Sequence, residues 1–412
     1  MQADEKHKVV FQHLHAQTQQ ELKNHGKASH QQKRLMVPDE QLSIRAITGQ
    51  KMTLNISELL AQFEKLEDAA AYLRNTFDIR LILRNRYYPV HKKQKFPGHI
   101  YHKFKQHCPL IEMQDATTQD NSILCTEAEG FYVLSPDTSA IFVSQNSAGG
   151  YDIELAVIRH APRNCPYGEQ LLEWLQTVVQ DACYSRRDIR PSHTGEMVQI
   201  GLNMGPRHAR ILGWAKSFTR NLSDKEKTSA DTDLIGAMSL FWGLIEMLFP
   251  TDITHPVQKI LDEAYPTMAT RNVPMGCGFS IMLDGVEYNY STSKRAPPEG
   301  YATAGYVAPT HYDPCYIKWA FTWTVGQELS QKSLSSPNTG SSFVDLGLRV
   351  VVKSSVGTIM AFQPNELHGT TERHGTFNYG LSLTSTKCVR DGYLKLEESG
   401  VNVRQYLEGT PS

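Results

Sequence analysis

The sequence lacks the features that mark several common protein classes. Its seven cysteines are odd in number and include no C-x-x-C pair, which argues against a zinc ribbon or a disulfide framework and favours a reducing compartment. The longest apolar run, Leu234 to Phe249, contains Glu246 and is too short to cross a bilayer, so we predict a buried helix. The N-terminus has no apolar segment of the kind found in secretory signals, and there is no internal repeat.

The chain also lacks an excess of charge of either sign. It has 42 Lys and Arg against 43 Asp and Glu, a formal net charge of −1. Any nucleic-acid surface must therefore be a local patch. With 412 residues, of which 40% are hydrophobic and 21% charged, the composition is that of a soluble globular protein with two or three packed units.

Hydrophobic periodicity divides the chain into an α-rich part and a β-rich part. We predict a polar arm over residues 1–36, an α-rich region over 37–266, a β domain over 267–390 and a C-terminal tail over 391–412. A hydrophilic bridge, Ser223 to Asp233, precedes the buried helix. The helices of the α-rich region are predicted at Ile56 to Arg74, Glu169 to Cys183, Leu234 to Phe249 and Val257 to Ala264.

The β domain is predicted from alternating apolar residues and from turn signals. Asp284-Gly285 stands between two alternating runs, which predicts a hairpin with a type I′ turn. A strand over 317–325 places Trp319 and Trp323 on one face, and we expect both in the core rather than in a base-stacking wall. Strands linked by hairpins without helices between them favour an antiparallel sandwich or barrel. Further strands are predicted near 348–353, 358–362 and 377–386, with a loop or flap over 330–342.

Two short patterns in this domain predict a non-haem iron centre. His311-Tyr312-Asp313 is an H-x-D pair, and His368 follows Asp313 by 55 residues, after a glycine turn and the apolar strand from Gly357 to Phe362. Two imidazoles and one carboxylate on one face of Fe(II) leave the other positions open for a cosubstrate and O₂. We therefore predict His311, Asp313 and His368 as metal ligands. The competing interpretation is a capped turn at Asp313-Pro314 and an ordinary surface histidine.

At these residues the chain resembles the TET/JBP group of Fe(II)- and 2-oxoglutarate-dependent nucleic-acid oxygenases, especially its fungal members. The resemblance covers roughly Pro274 to Thr386 and includes T-H-Y-D-P at Thr310 to Pro314. It implies an α+β protein whose C-terminal domain is a double-stranded β-helix, a jelly-roll or cupin-like barrel. It also implies Fe(II), 2-oxoglutarate and O₂ as requirements, and oxidation of 5-methylcytosine to 5-hydroxymethylcytosine and further, or of a methyl group on N6-methyladenine or thymine.

One residue that the resemblance implies is missing. Members of the group bind the far carboxylate of 2-oxoglutarate with an arginine about ten to sixteen residues past the distal histidine, where a planar bidentate donor suits a carboxylate. The corresponding strand here, Phe377 to Ser382, contains no arginine, although Ser382 matches an accompanying serine. Arg373 is nearer to His368 than expected, and Arg349 or Lys353 on the preceding strands could reach the cosubstrate instead.

The DNA substrate that the resemblance implies requires base flipping, because iron in a buried site cannot reach a methyl group inside a duplex. Flipping needs cationic contacts to phosphate and aromatic or apolar walls. Two basic segments are candidates, the first with interleaved aromatic residues and no acidic residue, and solvated basic faces are the alternative for both. The first segment contains Lys92, Lys93 and Lys95, and the second contains Arg186, Arg187, Arg207 and Arg210. A further candidate is the pair Lys294 and Arg295, which is near the predicted metal site in the sequence.

Three functional interpretations remain open. The first is a nuclear DNA dioxygenase that is not bound to a membrane. The second is the same iron barrel acting on a small molecule or a protein side chain. The third is a non-catalytic DNA-binding protein with a decayed oxygenase fold, which the missing arginine favours and the complete set of ligands disfavours.

Overall fold

The computed structural model describes residues 36–37, 52, 54–87, 110–111, 123–162, 165, 167–205, 210–216, 218–263, 265–330 and 340–409. The predicted polar arm lies outside these residues apart from Met36, as does most of the predicted loop over 330–342. Helices and strands occur in both halves of the described chain, so the predicted α+β class is confirmed.

The helices of the described residues lie mostly in the first two thirds of the chain. Within the described residues, a 3₁₀ turn spans Glu127–Glu129. The α-helices are α1 (Ile56–Gln62), α2 (Leu66–Phe77), α3 (Gly168–Ser185), α4 (Asp224–Leu248), α5 (Thr251–Asp262), α6 (Lys387–Glu398) and α7 (Val403–Glu408).

The strands extend over the whole described chain. In chain order they are β1 (Met36–Val37), β2 (Ile79–Leu83), β3 (Leu110–Ile111), β4 (Ile123–Leu124), β5 (Tyr132–Leu134), β6 (Ser139–Gln145), β7 (Tyr151–Ile158), β8 (Glu196–Asn203), β9 (Gly213–Trp214), β10 (Phe279–Leu283), β11 (Val286–Tyr290), β12 (Glu299–Ala304), β13 (Ala320–Leu329), β14 (Phe343–Asp345), β15 (Val350–Val352), β16 (Thr358–Phe362), β17 (His368–Thr370) and β18 (Thr376–Thr384).

Two sheets carry the architecture. Nine strands form a large sheet in the order β2-β6-β7-β16-β13-β18-β12-β8-β9, and four form a smaller one in the order β17-β14-β15-β5. The closed barrel that we predicted is not observed. The described strands form two open sheets that face each other, and β2 and β9 are the edge strands of the larger sheet. Five strands of the large sheet, β2, β6, β7, β8 and β9, come from the region predicted to be α-rich. The domain boundaries stay a prediction.

Alternation along β13 explains which face of the large sheet is buried against helices. Phe321, Trp323 and Val325 point to one side, where Trp323 lies 5.6 Å from the ring of Phe241 in α4. Thr322 and Thr324 point to the other side, into a cavity between the two sheets. The placement of Trp319 and Trp323 in the core is confirmed, since both are buried.

The predicted hairpin is confirmed in detail. Strands β10 and β11 pair antiparallel in the expected register, with Leu283 opposite Val286. Asp284 and Gly285 have φ values of 50° and 78°, the positive values that a type I′ turn requires.

Two helix predictions were wrong in their boundaries. The hydrophilic bridge is not a linker but the first turns of α4, because Ser223 and Glu226 form a capping box that starts the helix there. The stripe over 56–74 forms two helices, because Phe63 adopts an extended conformation and ends α1. Although α4 spans 25 residues, no helix in the described part of the chain combines the length and hydropathy of a membrane span.

Candidate metal centre

The two histidines of the predicted triad are joined through their own backbones. His311 and His368 form an isolated antiparallel bridge, in which each backbone N–H donates to the carbonyl of the other at 2.9 Å. The N–H of Asp313 donates to the carbonyl of Pro364 at 2.7 Å. The H-x-D segment is therefore fixed by main-chain bonds to the turn that precedes β17.

The side chains converge from this frame. The ligand atoms of His311, Asp313 and His368 all lie within 4.8 Å of one another, and His311 Nε2 is 3.4 Å from Asp313 Oδ2. Among the described residues, these three form a group with the composition and spacing of a metal site. The side chain of Asp313 is about half exposed, whereas His368 is buried, so the group is open on one side.

Backbone carbonyls set the tautomer of each imidazole. Nδ1 of His311 lies 2.6 Å from the carbonyl oxygen of Pro309, and Nδ1 of His368 lies 2.8 Å from that of Glu366. A carbonyl can only accept, so each Nδ1 carries the hydrogen and each Nε2 presents a lone pair to the centre. This arrangement of a second hydrogen bond behind each ligand is the usual way in which proteins orient metal-binding histidines.

The electrostatics of the group favour a cation. Burial and the neighbouring His311 lower the pKa of His368 to about 4, so this imidazole is neutral at pH 7. Burial raises the pKa of Asp313, but the hydrogen bond and charge of His311 outweigh it and lower the pKa overall. The same carboxylate raises the pKa of His311 against the opposing effect of burial. A divalent cation would replace the proton that Asp313 stabilises on His311.

The triad opens into a cavity of about 830 Å³ between the two sheets. The inward-facing positions of the large sheet are mostly hydroxyl-bearing or amide side chains, because its apolar positions face α3 and α4. Ser382 is one of them and lies opposite Thr322 and Tyr301 on neighbouring strands. The polar residues of this wall include Gln199, Asn203, Tyr301, Thr303, Thr322, Thr324, Thr358, Asn378, Ser382 and Thr384.

An aromatic pair forms the apolar side of the cavity beside the metal group. Phe343 stacks on the His368 ring at 5.9 Å between centroids, and Phe362 lies 4.9 Å from it. The two phenylalanines contact each other at 5.0 Å. Their position keeps one flank of the ligand group out of contact with polar side chains.

The candidates for cosubstrate binding lie in different places. Ser382 lines the cavity, and so does Lys353. The guanidinium of Arg349 lies over the ring of Tyr87 at 3.6 Å, and that of Arg373 lies 5.8 Å from the ring of Phe377. Neither arginine is among the residues lining the cavity. Their roles stay predictions.

A group that the sequence analysis did not identify as a site lies at the cavity near Asp313. Arg190 donates a hydrogen bond to the Tyr306 hydroxyl, which is also 2.7 Å from Nδ1 of His193. The rings of His193 and Tyr306 are stacked, and all three residues line the cavity. Burial raises the pKa of Tyr306 to about 12. Only the positive charge of Arg190 was visible in the sequence, since the three residues are joined by tertiary contacts.

The predicted DNA-binding residues are only partly within the described chain. Lys92, Lys93, Lys95 and Arg207 lie outside it. Lys294 forms an exposed ion pair with Asp262 at 3.1 Å, and Arg295 donates to the carbonyls of Gly278 and Pro274. Arg186 is buried in an ion pair with Asp231, while Arg187 and Arg210 are exposed.

An ionic network lies behind the metal group. The Arg86 guanidinium contacts Glu154 at 2.8 Å and Asp345 at 3.0 Å, and Asp345 pairs with His368 across β14 and β17. Gln363 donates to the same Glu154 carboxylate at 2.8 Å. Burial lowers the pKa of Arg86, but the carboxylates outweigh that effect and raise it. Arg86 precedes the DNA-binding candidate Lys92 by six residues in the sequence, yet its charge is paired inside the protein.

Comparisons with known proteins add little to this description. Neither the family models nor the curated proteins match the chain. A solved structure described as "NgTET1 in complex with 5mC DNA" is similar at 11% identity and a TM-score of 0.36, over 63% of this chain and 84% of that chain. At this identity and score the likeness carries no argument, and the function has to be inferred from the residues around the cavity.

Proposed function

We propose that the cavity is the active site of an Fe(II)- and 2-oxoglutarate-dependent dioxygenase, and that the two facing sheets are a double-stranded β-helix. The observation that carries the proposal is the convergence of two Nε2 lone pairs and one carboxylate within 4.8 Å on the open side of a polar cavity. Two imidazoles and one carboxylate with free positions are the ligand set of non-haem Fe(II) oxygenases.

The donor set fits iron without rearrangement of the protein. Both imidazoles are oriented by a backbone carbonyl at Nδ1, His368 is neutral, and the carboxylate compensates part of the metal charge once the metal displaces the proton that it favours on His311. When bound, Fe(II) would supply the chemistry that the side chains lack, the use of O₂ to oxidise a C–H bond. In the balanced reaction, 2-oxoglutarate, O₂ and a methyl group give succinate, CO₂ and a hydroxymethyl group.

The chain itself orients and encloses the reactants. The carbonyls of Pro309 and Glu366 hold the imidazoles, and Phe343 and Phe362 keep water from one flank of the centre. The hydroxyl-rich wall of the large sheet provides hydrogen bonds for a polar cosubstrate. Such pre-organisation reduces the reorganisation needed during reaction.

The proposed substrate is a methylated base in DNA, flipped out of the duplex, with 5-methylcytosine first and N6-methyladenine second. A cavity of about 830 Å³ is large enough for a small cosubstrate and a base. Arg190 is exposed and lines the cavity, which supports the proposal because its positive charge suits a phosphate near the flipped nucleotide. A DNA substrate would place the protein in the nucleus.

The test is mass spectrometry of nucleosides after incubation of methylated duplex DNA with the protein, Fe(II) and 2-oxoglutarate. We expect hydroxymethylated nucleoside only when both additions are present. His311→Ala and Asp313→Ala should lower turnover more than about 100-fold and remove tight metal binding, while salt-dependent DNA binding persists.

His255→Ala is the matched control, because His255 is exposed on α5 away from the cavity. Its metal content and turnover should equal those of the unaltered protein. Full turnover by the Asp313 variant would exclude this carboxylate as a ligand and with it the proposed centre.

A second candidate is the same centre acting on a small molecule or a protein side chain. The observation in its favour is that Arg186 and Arg295, two of the predicted DNA contacts, are occupied by contacts within the protein. In that case the protein would consume 2-oxoglutarate without salt-dependent affinity for DNA.

A further inference from the structure

The cavity opens to solvent where the hairpin β8–β9 meets helix α6. Within the described residues, the exposed members of the cavity lining are Arg190, Gly205, Pro314 and Cys388. Pro314 follows Asp313 of the metal group, and its carbonyl accepts from the backbone N–H of Lys387 at the start of α6. Further along α6, Gly392 lies so close to the sulfur of Met204 that a Cβ there would overlap it. The mouth of the cavity is therefore close both to the metal group and to the end of β8.

The base of the β8–β9 hairpin is fixed against the last helix of the described chain. The two strands pair antiparallel, with Leu202 opposite Trp214. Trp214 is buried and donates from Nε1 to the carbonyl of Leu407 in α7 at 3.2 Å. The carbonyl of Leu212, which is also buried, accepts from the Tyr406 hydroxyl at 3.2 Å. The segment that leads into β9 is thus held in one position.

Ile211 presents an apolar side chain to solvent from this fixed segment. Its backbone N–H donates to the carbonyl of the cavity-lining residue Met204 at 3.0 Å, so Ile211 lies beside the mouth. Its side chain is 63% exposed, although the next residue, Leu212, is buried. A single exposed isoleucine is common on protein surfaces and by itself indicates nothing. At this place, however, it meets any large substrate that reaches into the cavity.

The charge of the hairpin indicates the kind of substrate. The sequence contains no acidic residue between Glu196 and Asp224. The basic residues of this stretch are Arg207, Arg210, Lys216 and Arg220. Arg210, directly before Ile211, is exposed, and so is Lys216. A basic segment with an exposed apolar side chain suits duplex DNA, which has phosphates on its outside and stacked bases inside.

We propose that Ile211 is a wedge that enters the base stack of duplex DNA and occupies the space left by the base that is flipped into the cavity. This inference rests on the proposed function and names the surface that binds its substrate. Unpairing and unstacking a base is unfavourable, and an apolar side chain inserted between base steps offsets part of that free energy. Isoleucine suits this role because its β-branched side chain has little rotamer freedom to lose. Arg210, the neighbouring residue, supplies a cationic contact to a flanking phosphate.

A wedge differs from an ordinary DNA contact in the substrate on which it matters. The side chain is needed where a base pair must be broken, so its loss harms a paired duplex more than one whose methylated base is already mismatched. A phosphate contact contributes equally to both duplexes and makes the affinity depend on salt. The two roles of Ile211 and Arg210 can therefore be separated.

The test measures unstacking directly, without 2-oxoglutarate or oxygen, so that no base is oxidised. Two duplexes carry 5-methylcytosine beside 2-aminopurine, whose fluorescence rises when a neighbouring base leaves the stack. In one duplex the 5-methylcytosine faces guanine, and in the other it faces adenine. Ile211→Ala should lower the equilibrium between stacked and flipped base about 10-fold or more in the paired duplex, as truncation of a buried isoleucine would, and less than about 3-fold in the mismatched one. Ile211→Leu should retain most of the fluorescence rise.

Two further variants show that the effect belongs to this side chain. Arg210→Met should weaken binding of both duplexes equally and reduce the salt dependence of the affinity. Leu83→Ala is the matched control, because Leu83 is 46% exposed on β2, at the opposite edge of the large sheet from β9. Its fluorescence rise should equal that of the wild type. Thermal unfolding establishes that each variant is folded.

The outcomes distinguish the wedge from the proposed substrate. If the wild type unstacks the paired duplex and Ile211→Ala does so equally well, or if the variant loses both duplexes equally, Ile211 is not a wedge. A wild-type protein that unstacks neither duplex would refute DNA as the substrate, and the wedge with it.

Discussion

At the scale of single residues, Glu299 is a buried carboxyl group with a strongly raised pKa outside the His311–Asp313–His368 group. Its side chain is buried at the start of β12 and accepts from the backbone N–H and the hydroxyl of Thr386, the N-cap of α6. Burial raises its pKa to about 8, although the Thr386 hydrogen bonds oppose the shift. The folded protein therefore keeps a proton there that the unfolded chain releases above pH 4.5.

Stability should consequently fall as pH rises from about 4.5 to about 8, by up to about 1.4 kcal/mol per pH unit from this group. Glu299→Gln removes this titration. The unfolding temperature of the variant, relative to that of the wild type, should therefore increase as pH rises through this window. Thermal unfolding at pH 5, 6, 7 and 8 measures the difference. Parallel profiles for the two proteins would mean that Glu299 is ionised in the folded state.

Individual residues were predictable from sequence where their partners are local. The H-x-D pair fixes the relation of His311 to Asp313 within three residues, and the turn before His368 places it at a strand start. Arg190 and Tyr306 were not predictable as residues of the cavity, because contacts between distant segments bring them together there. A positive charge or a hydroxyl group in the sequence does not by itself indicate that the side chain lines a cavity.

At the scale of elements, α4 depends on close contact with the hairpin β10–β11. Gly236, in its buried middle, faces the backbone of β10, where a Cβ would lie 2.1 Å from the carbonyl oxygen of Ser280. The helix therefore approaches the strand as closely as the backbone allows.

Gly236→Ala should destabilise the protein by about 1–3 kcal/mol, since overpacking at this contact outweighs the gain of about 1 kcal/mol in helix propensity. Chemical unfolding measures the change. Gly213→Ala is the control, because nothing lies within 4 Å of a Cβ there. A Gly236 variant as stable as the control would show that helix and hairpin separate easily.

The elements themselves were largely predictable, and their ends were not. The alternation of β13 and the Asp284-Gly285 turn gave strands and a hairpin that the structure confirms. The start of α4 was wrong because polar composition over 223–233 was taken as a linker, whereas the Ser223–Glu226 capping box begins a helix there. The capping box starts the helix although the segment is polar. The turns that follow tolerate the polar residues because Asp231 is buried in an ion pair with Arg186.

At the scale of the whole molecule, Arg86 joins segments that are far apart in the chain. Its guanidinium lies between Glu154 of β7 and Asp345 of β14, and so connects the large sheet to the small sheet behind His368. Removal of the cation would leave two carboxylates largely buried without their partner.

Arg86→Met should therefore lower the free energy of unfolding by about 3–5 kcal/mol, as is usual when one partner of a buried ion pair is removed. Metal affinity should fall as well, because Asp345 pairs with His368. Arg404→Met is the control, since its ion pair with Glu408 is exposed and should contribute less than about 1 kcal/mol. Equal stability of the two variants would show that the Arg86 network contributes nothing to the fold.

The order of strands in the large sheet could not be predicted. Period-two alternation shows which face of a strand is buried but not which strand lies beside it. Pairings such as β7 with β16 and β8 with β12 join residues that are about a hundred positions apart or more. The predicted β domain covered residues 267–390, whereas strands from both halves of the chain share one sheet.

The reciprocal main-chain bonds between His311 and His368 have a consequence for handling the protein. These main-chain bonds hold the two histidines together without an ion. Removal of bound metal with a chelator should therefore leave the protein folded. Different divalent ions could then be exchanged into one unchanged protein, and spectroscopic substitutes such as Co(II) would report on the geometry of the proposed iron site.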